Sequence, residues 1–98
     1  MIKSIKVLEC GGNMYVIIVY DVNVSRVSKI NKFLKQYLHW RQNSVFEGEI
    51  SISQLEKIKL NLKNILKEDD KIIIYTLKTK KFLRIIEIGK SEEITTVI

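Results

Sequence analysis

A single α+β domain of β-α-β-β-α-β order is the fold this sequence predicts, on three observations. The first is Tyr15-Val16-Ile17-Ile18-Val19-Tyr20, a run apolar or aromatic on both faces that ends on Asp21. Four of these six residues are β-branched and the run is too short for a buried helix, so it reads as a central strand. The second is a pair of segments whose apolar residues recur three and four apart, the spacing of an amphipathic helix. The third is that the stretches around those segments, Trp40 to Ser51 and Lys71 to Leu77, are β-prone and lack helical period. A chain of 98 residues with 46% apolar residues, four Gly and no Pro folds as one domain with a modest core, and gains from a partner's surface.

The elements follow in chain order. Residues 1–13 form an N-terminal extension in which Ile2, Ile5, Val7 and Leu8 are scattered. Cys10-Gly11-Gly12-Asn13 then breaks the chain before a second methionine, Met14. Met14 is a candidate start, because Gly-Gly-Asn is what a purine-rich ribosome-binding sequence yields when translated; the alternative is a strand over Ser4 to Leu8 with a glycine turn. After the central strand, Val24, Val27, Ile30, Phe33, Leu34, Tyr37 and Leu38 predict a helix from about Ser25 to His39, capped by Asn23 or Ser25. Its outer face carries Arg26, Lys29, Lys32, Lys35 and Gln36. Two short strands follow, Trp40 to about Val45 and about Phe46 to Ser51. Ser51 or Ser53 opens the second helix, with Ser53 and Glu56 spaced as a capping box. Leu55, Ile58, Leu62, Ile65 and Leu66 form its inner stripe, and it stops near Lys67. Glu68-Asp69-Asp70 reads as a connector, Lys71 to Leu77 as a strand, and Lys78-Thr79-Lys80-Lys81 as a basic turn. Leu83 to Ile88 predicts a fifth strand and Glu92 to Ile98 a β-prone tail. This order is the ferredoxin-like arrangement, a four-stranded antiparallel sheet with both helices on one face. Side chains apolar on both faces of the strands then call for a cover on the other side, most simply the same face of a second chain.

The formal charge of +6 favours anionic partners, nucleic acid or a membrane surface. No run approaches the roughly 20 apolar residues of a membrane span, and the N-terminus lacks a signal peptide's apolar core. A single cysteine, Cys10, excludes an intrachain disulfide and suits a reducing compartment, so a cytoplasmic location is expected.

Walker loop, dinucleotide fingerprint and HExxH motif are all absent. His39 is the only histidine and has no base–nucleophile partnership around it; Cys10 has no activating neighbour. Asp21 has two readings. It caps the turn into the next helix, or it is a strand-end carboxylate held rigid and wet for chemistry. One such carboxylate binds a divalent ion poorly. Two copies facing each other across a twofold axis would hold Mg²⁺, whose remaining ligands are waters, and their mutual repulsion gives the ion a place.

Tyr15-Val16-Ile17-Ile18-Val19-Tyr20-Asp21-Val22 together with Gln42-Asn43-Ser44-Val45-Phe46-Glu47-Gly48 resembles the CRISPR-associated protein 2 family. The resemblance runs from Met14 to about Ile88. It implies a ferredoxin-like homodimer over 14–91, with an additional C-terminal strand at 92–98 packing on the partner subunit. It implies a role in CRISPR adaptation, in which the dimer bridges dimers of the CRISPR integrase and holds the double-stranded DNA to be inserted as a new spacer. It also implies a metal-dependent endonuclease, using Mg²⁺ or Mn²⁺, on single-stranded RNA or double-stranded DNA.

Carried over by residue, the resemblance makes Asp21, one from each subunit, the metal ligand, and adds Arg26, Arg41, Ser44 and Phe46 to the catalytic set. Each has a plainer reading. Arg26 is one more solvated helix residue or the ion-pair partner of the strand-end acid. Arg41 is an exposed strand residue, Ser44 bonds the backbone at the hairpin bend, and Phe46 belongs to the core or dimer interface. Arg26 with Lys78, Lys80 and Lys81 forms the expected nucleic-acid surface. Relatives often have a glycine at the first helix-to-strand turn, where this chain has Leu38-His39-Trp40. The basic excess is plainer than the catalytic site, which favours a scaffold that grips duplex backbone over an efficient nuclease. A ferredoxin-like regulatory module is the third class and would show a discrete pocket at the dimer seam.

Overall fold

The computed structural model describes residues 13–89. The first strand, β1 (Asn13–Asp21), alternates in facing: Val16, Ile18 and Tyr20 point into the core, while Tyr15, Ile17, Val19 and Asp21 point the other way, where only Tyr15 is buried. It is hydrogen-bonded on both edges, antiparallel to β3 (Val45–Ser51) and to β4 (Lys71–Leu77). The short β2 (His39–Gln42) adds to β3, giving one antiparallel sheet of order β2-β3-β1-β4. With α1 (Val24–Leu34) and α2 (Ile52–Ile65), the order is β-α-β-β-α-β, the predicted ferredoxin-like sandwich.

Both helices pack on one face. Ile30 and Leu34 of α1 and Leu55, Ile58 and Leu62 of α2 meet Val16, Ile18, Tyr20, Phe46 and Ile50 of the sheet. Phe46 is fully buried and stacks on Tyr20, ring centroids 6.3 Å apart. The Tyr20 hydroxyl donates to Asn31 Oδ1, so the polar tip of this core residue is satisfied by α1.

Several boundaries differ from the sequence expectation, among them β2, which ends at Gln42 and not near Val45. The first helix stops at Leu34, not near His39. Gln36 and Tyr37 N–H groups donate to carbonyls three residues back, which tightens the chain, and Leu38 is still buried. The apolar spacing therefore runs past the end of the helix. The second helix is capped by Ser51, whose hydroxyl accepts from the Gln54 N–H at 3.1 Å while the Gln54 side chain accepts from the Ser51 N–H at 2.9 Å. The capping box is thus Ser51 with Gln54, because β3 runs into α2 without a linker and leaves Ser53 inside the first turn. The predicted fifth strand over Leu83 to Ile88 is not formed. After a single 3-10 turn at Lys80–Phe82 the chain is irregular and joins no ladder among the described residues. The β-prone composition does not by itself make a strand. The expected tail at 92–98 and all of the N-terminal extension except Asn13 lie outside the described residues.

The absent turn glycine has a structural answer. Among the described residues the only non-glycine with positive φ is Asn43 (φ 41°), in the β2–β3 turn, so Leu38-His39-Trp40 passes from helix to strand without strain. The glycine that matters is Gly48. A Cβ there would stand 3.0 Å from Leu38 Cδ2, a carbon already packed in the core. Gly48→Ala is expected to cost about 1 kcal/mol by overpacking. In a Leu38→Ala background it should be neutral or stabilising, because the clash is gone and about 0.5–1 kcal/mol of backbone entropy is recovered. Urea midpoints of the four proteins check this; an equal cost in both backgrounds would remove Leu38 as the cause.

Candidate functional site

Asp21 closes β1 and is exposed. Its face is set by parity: with Tyr20 in the core, the next residue must project from the sheet side that the helices leave bare. Lys71 of β4 lies directly across from it, an opposite-charge cross-strand pair. Asp21 is not the cap of the turn that follows. That task falls to Asn23, whose Oδ1 accepts from the Ser25 N–H at 2.9 Å, while its carbonyl accepts from the Arg26 N–H at 2.9 Å. The carboxylate of Asp21 is therefore left to solvent.

Two loops meet beside it, β1–α1 and α2–β4, around an open cleft of about 470 Å³ lined by Asp21, Arg26, Lys67 and the Glu68-Asp69-Asp70 acids. This is a charged, exposed cleft, unlike the mostly apolar pocket of a small-molecule site. Its organising group is Asp70. Oδ1 accepts from the Asn23 N–H at 3.0 Å and from Arg26 Nη2 at 3.0 Å. Oδ2 accepts from the Lys67 N–H at 2.9 Å and from Arg26 Nε at 2.5 Å. Four donors fill the lone-pair sites of one carboxylate. The two-point hydrogen bond from the Arg26 guanidinium, helped by the two backbone N–H groups, holds the Asp70 carboxyl far below the usual carboxylate range. Arg26 thus pairs with Asp70 and not with Asp21, correcting the pairing the sequence suggested.

Arg41 is also committed. It stands at the irregularity between Trp40 and Gln42 in β2, with Nη1 3.5 Å from Glu47 and Nη2 3.5 Å from Glu87. Glu47 is buried on the helix-free face, opposite Ile17. The Glu87 contact brings the chain after β4 back to the far edge of the sheet, across that face. Tyr15, on the same face, is buried too; burial first, then the nearby Glu47 carboxylate, pushes its hydroxyl pKa up. Arg41 is thus half-buried and ion-paired, and not the freely exposed residue of the plainer reading.

Ser44 lies in the β2–β3 turn, where its carbonyl accepts from the Tyr20 N–H at 3.1 Å and carries the β1–β3 pairing one step further. Phe46, at 0% exposure, cannot stack on a base, and its link to the site is through Tyr20, the neighbour of Asp21. Lys78, Lys80 and Lys81 are exposed on the bend and 3-10 turn after β4, where Thr79 accepts from the Lys81 N–H at 3.2 Å and fixes the turn. Sequence reading missed Asp70, Lys71 and Glu47. Asp70 and Glu47 owe their roles to contacts distant in sequence; Lys71 could have been found by aligning the two strands around Asp21.

For a divalent ion, the exposed carboxylate of Asp21 is the right hard oxygen donor, and Glu68 and Asp69 of the α2–β4 loop line the same cleft. Asp70 has no lone pair to spare, and among the described residues no three His, Cys, Asp or Glu side chains gather as a metal site. Among the same residues, no helix is long and apolar enough to cross a membrane.

A family model described as CRISPR associated protein Cas2 matches residues 14–85. One relative, the CRISPR-associated endoribonuclease Cas2 of Methanocaldococcus jannaschii, is 56% identical over 75 residues, 76% of this chain and 66% of that protein. The match therefore spans just under two thirds of that relative's length. The protein of the same description from Methanosarcina acetivorans is 46% identical over 86 residues, covering 87% of this chain and 99% of the relative. Among solved structures, one described as a crystal structure of cas2 aligns with TM-score 0.80 at 49% identity, covering 89% of this chain and 99% of that one. The Streptococcus pyogenes Cas2 structure aligns with TM-score 0.68 at 31% identity, covering 76% and 99%. The strand that ends on Asp21, the Gln42–Gly48 block and the sheet that joins them all lie inside the matched region, and the chain belongs to the CRISPR-associated protein Cas2 family.

Proposed function

We propose that this chain acts as a homodimer in CRISPR adaptation, gripping double-stranded DNA by its backbone and bridging dimers of the CRISPR integrase. A subsidiary endonuclease activity on single-stranded RNA or double-stranded DNA would use Mg²⁺ or Mn²⁺ held by the Asp21 carboxylates of both subunits. One observation carries this reading: Asp21 shares its sheet face with Ile73 and Tyr75, which remain 39% and 55% exposed on a β-sheet that already has one covered side. The natural cover for that face is a second copy, which brings a second Asp21 into the same interface. Phe82, Ile86 and Ile88, all strongly exposed, extend the apolar surface along the chain after β4.

The chain's own residues divide the work. Asn23 caps α1 and Asp70 holds the loop, which frees Asp21 from structural duty. When bound, the ion supplies charge neutralisation and a more acidic water. Lys78, Lys80 and Lys81 meet phosphates through a sequence-independent attraction. Arg41 is spent on Glu47 and Glu87 and is not needed for that grip. Of the carboxylates lining the cleft only Asp21 is held on a strand, and Asp70 is committed to Arg26, so cleavage is slow and scaffolding is the main role.

Assembly is tested first. Light scattering should find a dimer at micromolar concentration, and Tyr75→Glu, which puts a charge in the middle of the apolar face, should shift it to monomer. A monomeric wild-type chain would refute the shared site. DNA binding should fall steeply with salt and hardly depend on sequence. Replacing Lys78, Lys80 and Lys81 by Gln should weaken it uniformly and lower the salt slope by about one per lysine. A triple variant with the slope of the wild type would place the grip elsewhere. The enzyme reading turns on Asp21→Asn, which keeps size and removes charge. Metal-dependent cleavage should drop by orders of magnitude while duplex affinity stays or rises slightly. Undiminished cleavage in that variant would take Asp21 out of the chemistry.

A further inference from the structure

We infer that Arg26 and Asp70 form a positioning latch for Asp21, and that Arg26 acts on Asp70 and not on a phosphate. The inference rests on reading Asp21 as the reactive carboxylate.

Asp70 grips the site from two directions. It accepts the Asn23 N–H, two residues beyond Asp21, and so fixes the path by which the chain leaves β1. It also precedes Lys71, the residue paired with Asp21 across the β1–β4 ladder. Its second backbone bond, to Lys67, closes the turn that delivers it, and the Asp70 N–H donates back to the Lys67 carbonyl at 3.0 Å. The strand end and both loops beside Asp21 thus converge on one carboxylate.

That carboxylate is 1% exposed and its salt-bridge partner 21%. A charge so sheltered from water is stable only while paired, which is what the guanidinium provides. Arg26 spends Nε and Nη2 on Asp70, the two-point fork that makes arginine suited to phosphate. Offering that fork to nucleic acid would strip Asp70 of half its donors and loosen Asn23 with it. The competing phosphates are better served by the exposed lysines after β4.

The test uses the full-length dimer and four proteins: wild type, Asp70→Asn, Arg26→Gln and the double variant. Amide exchange of the segments 21–26 and 66–71 should speed up at least tenfold in each single variant. Mn²⁺ affinity, by direct titration, should fall roughly tenfold to a hundredfold, the usual consequence of removing the groups that orient a ligand. The double variant should be no worse than the worse single one, because both members belong to one unit. The salt slope of duplex binding should be the same in Arg26→Gln as in wild type. The exchange measurement needs no metal, so it stands apart from the outcome of Asp21→Asn. Unchanged exchange in both single variants would overturn the latch. So would a salt slope lowered by about one in Arg26→Gln, with multiplying effects in the double variant, which is the behaviour of a phosphate contact. Should Asp70→Asn fail to fold, Arg26→Lys keeps the charge and loses the fork, and it should reproduce the faster exchange.

Discussion

The pairing of β1 on both of its edges is the constraint from which the rest of the structure follows. Held by β3 on one side and β4 on the other, the strand has one register. A slip of one residue would move Val16, Ile18 and Tyr20 out of the core and exchange every side chain between faces. The same parity puts Asp21 on the bare face and Lys71 across from it. Core packing and site geometry are thus one decision, made by the burial of three side chains. Phe46 belongs to that decision as well: it clamps Tyr20 from β3 and so fixes where the strand gives out. A family motif residue that touches no ligand still shapes the site in this way.

What was legible in the sequence is what depends on local pattern. The β-branched run at 16–19, the apolar stripe Leu55–Ile58–Leu62 and the strand Lys71–Leu77 all read correctly, because period and propensity are properties of neighbours along the chain. The errors share a cause. Tyr37 and Leu38 continue a helical spacing after the helical hydrogen bonds have changed, since the core below them still asks for apolar side chains. Ser53 with Glu56 matches the capping box as well as Ser51 with Gln54 does, and only the end of β3 chooses between them. Leu83 to Ile88 has the composition of a strand but joins no ladder among the described residues. At the site, Asp21 was visible as a carboxylate at a strand end. Arg26–Asp70 was not, because nothing in Glu68-Asp69-Asp70 distinguishes its third acid until the fold brings it to a helix 44 residues earlier.

The cations free to meet a polyanion are likewise not the ones the family resemblance singles out. A formal +6 reads as a basic surface, yet the two arginines singled out by family resemblance are both occupied, Arg26 by Asp70 and Arg41 by Glu47 and Glu87. Arginine suits such work, since its fork satisfies a sheltered carboxylate at two points and it stays charged when half-buried. The exposed lysines keep their charge for solvent and polyanions. A division between these two arginines, which build, and the exposed lysines, which grip, predicts affinity without base readout, the behaviour of a protein that holds DNA of any sequence.

The bare sheet face is not uniformly apolar, and its one buried acid explains what kind of cover it accepts. Glu47 lies between Ile17 and His39, near Tyr15, and is tolerable there because Arg41 lies beside it. The second nitrogen of Arg41 reaches Glu87, so the pair also registers the chain after β4 against the sheet. Any surface that closes over Ile73 and Tyr75 must leave this arrangement intact or replace each partner, since removing either one strands a buried charge. A second copy of the same face meets that condition, because each copy brings its own Arg41–Glu47 pair already satisfied, leaving Ile73 and Tyr75 to bury and Asp21 and Lys71 at the rim. The pair thus narrows the ways in which two faces fit, and Asp21, at the rim of that same face, inherits the restriction.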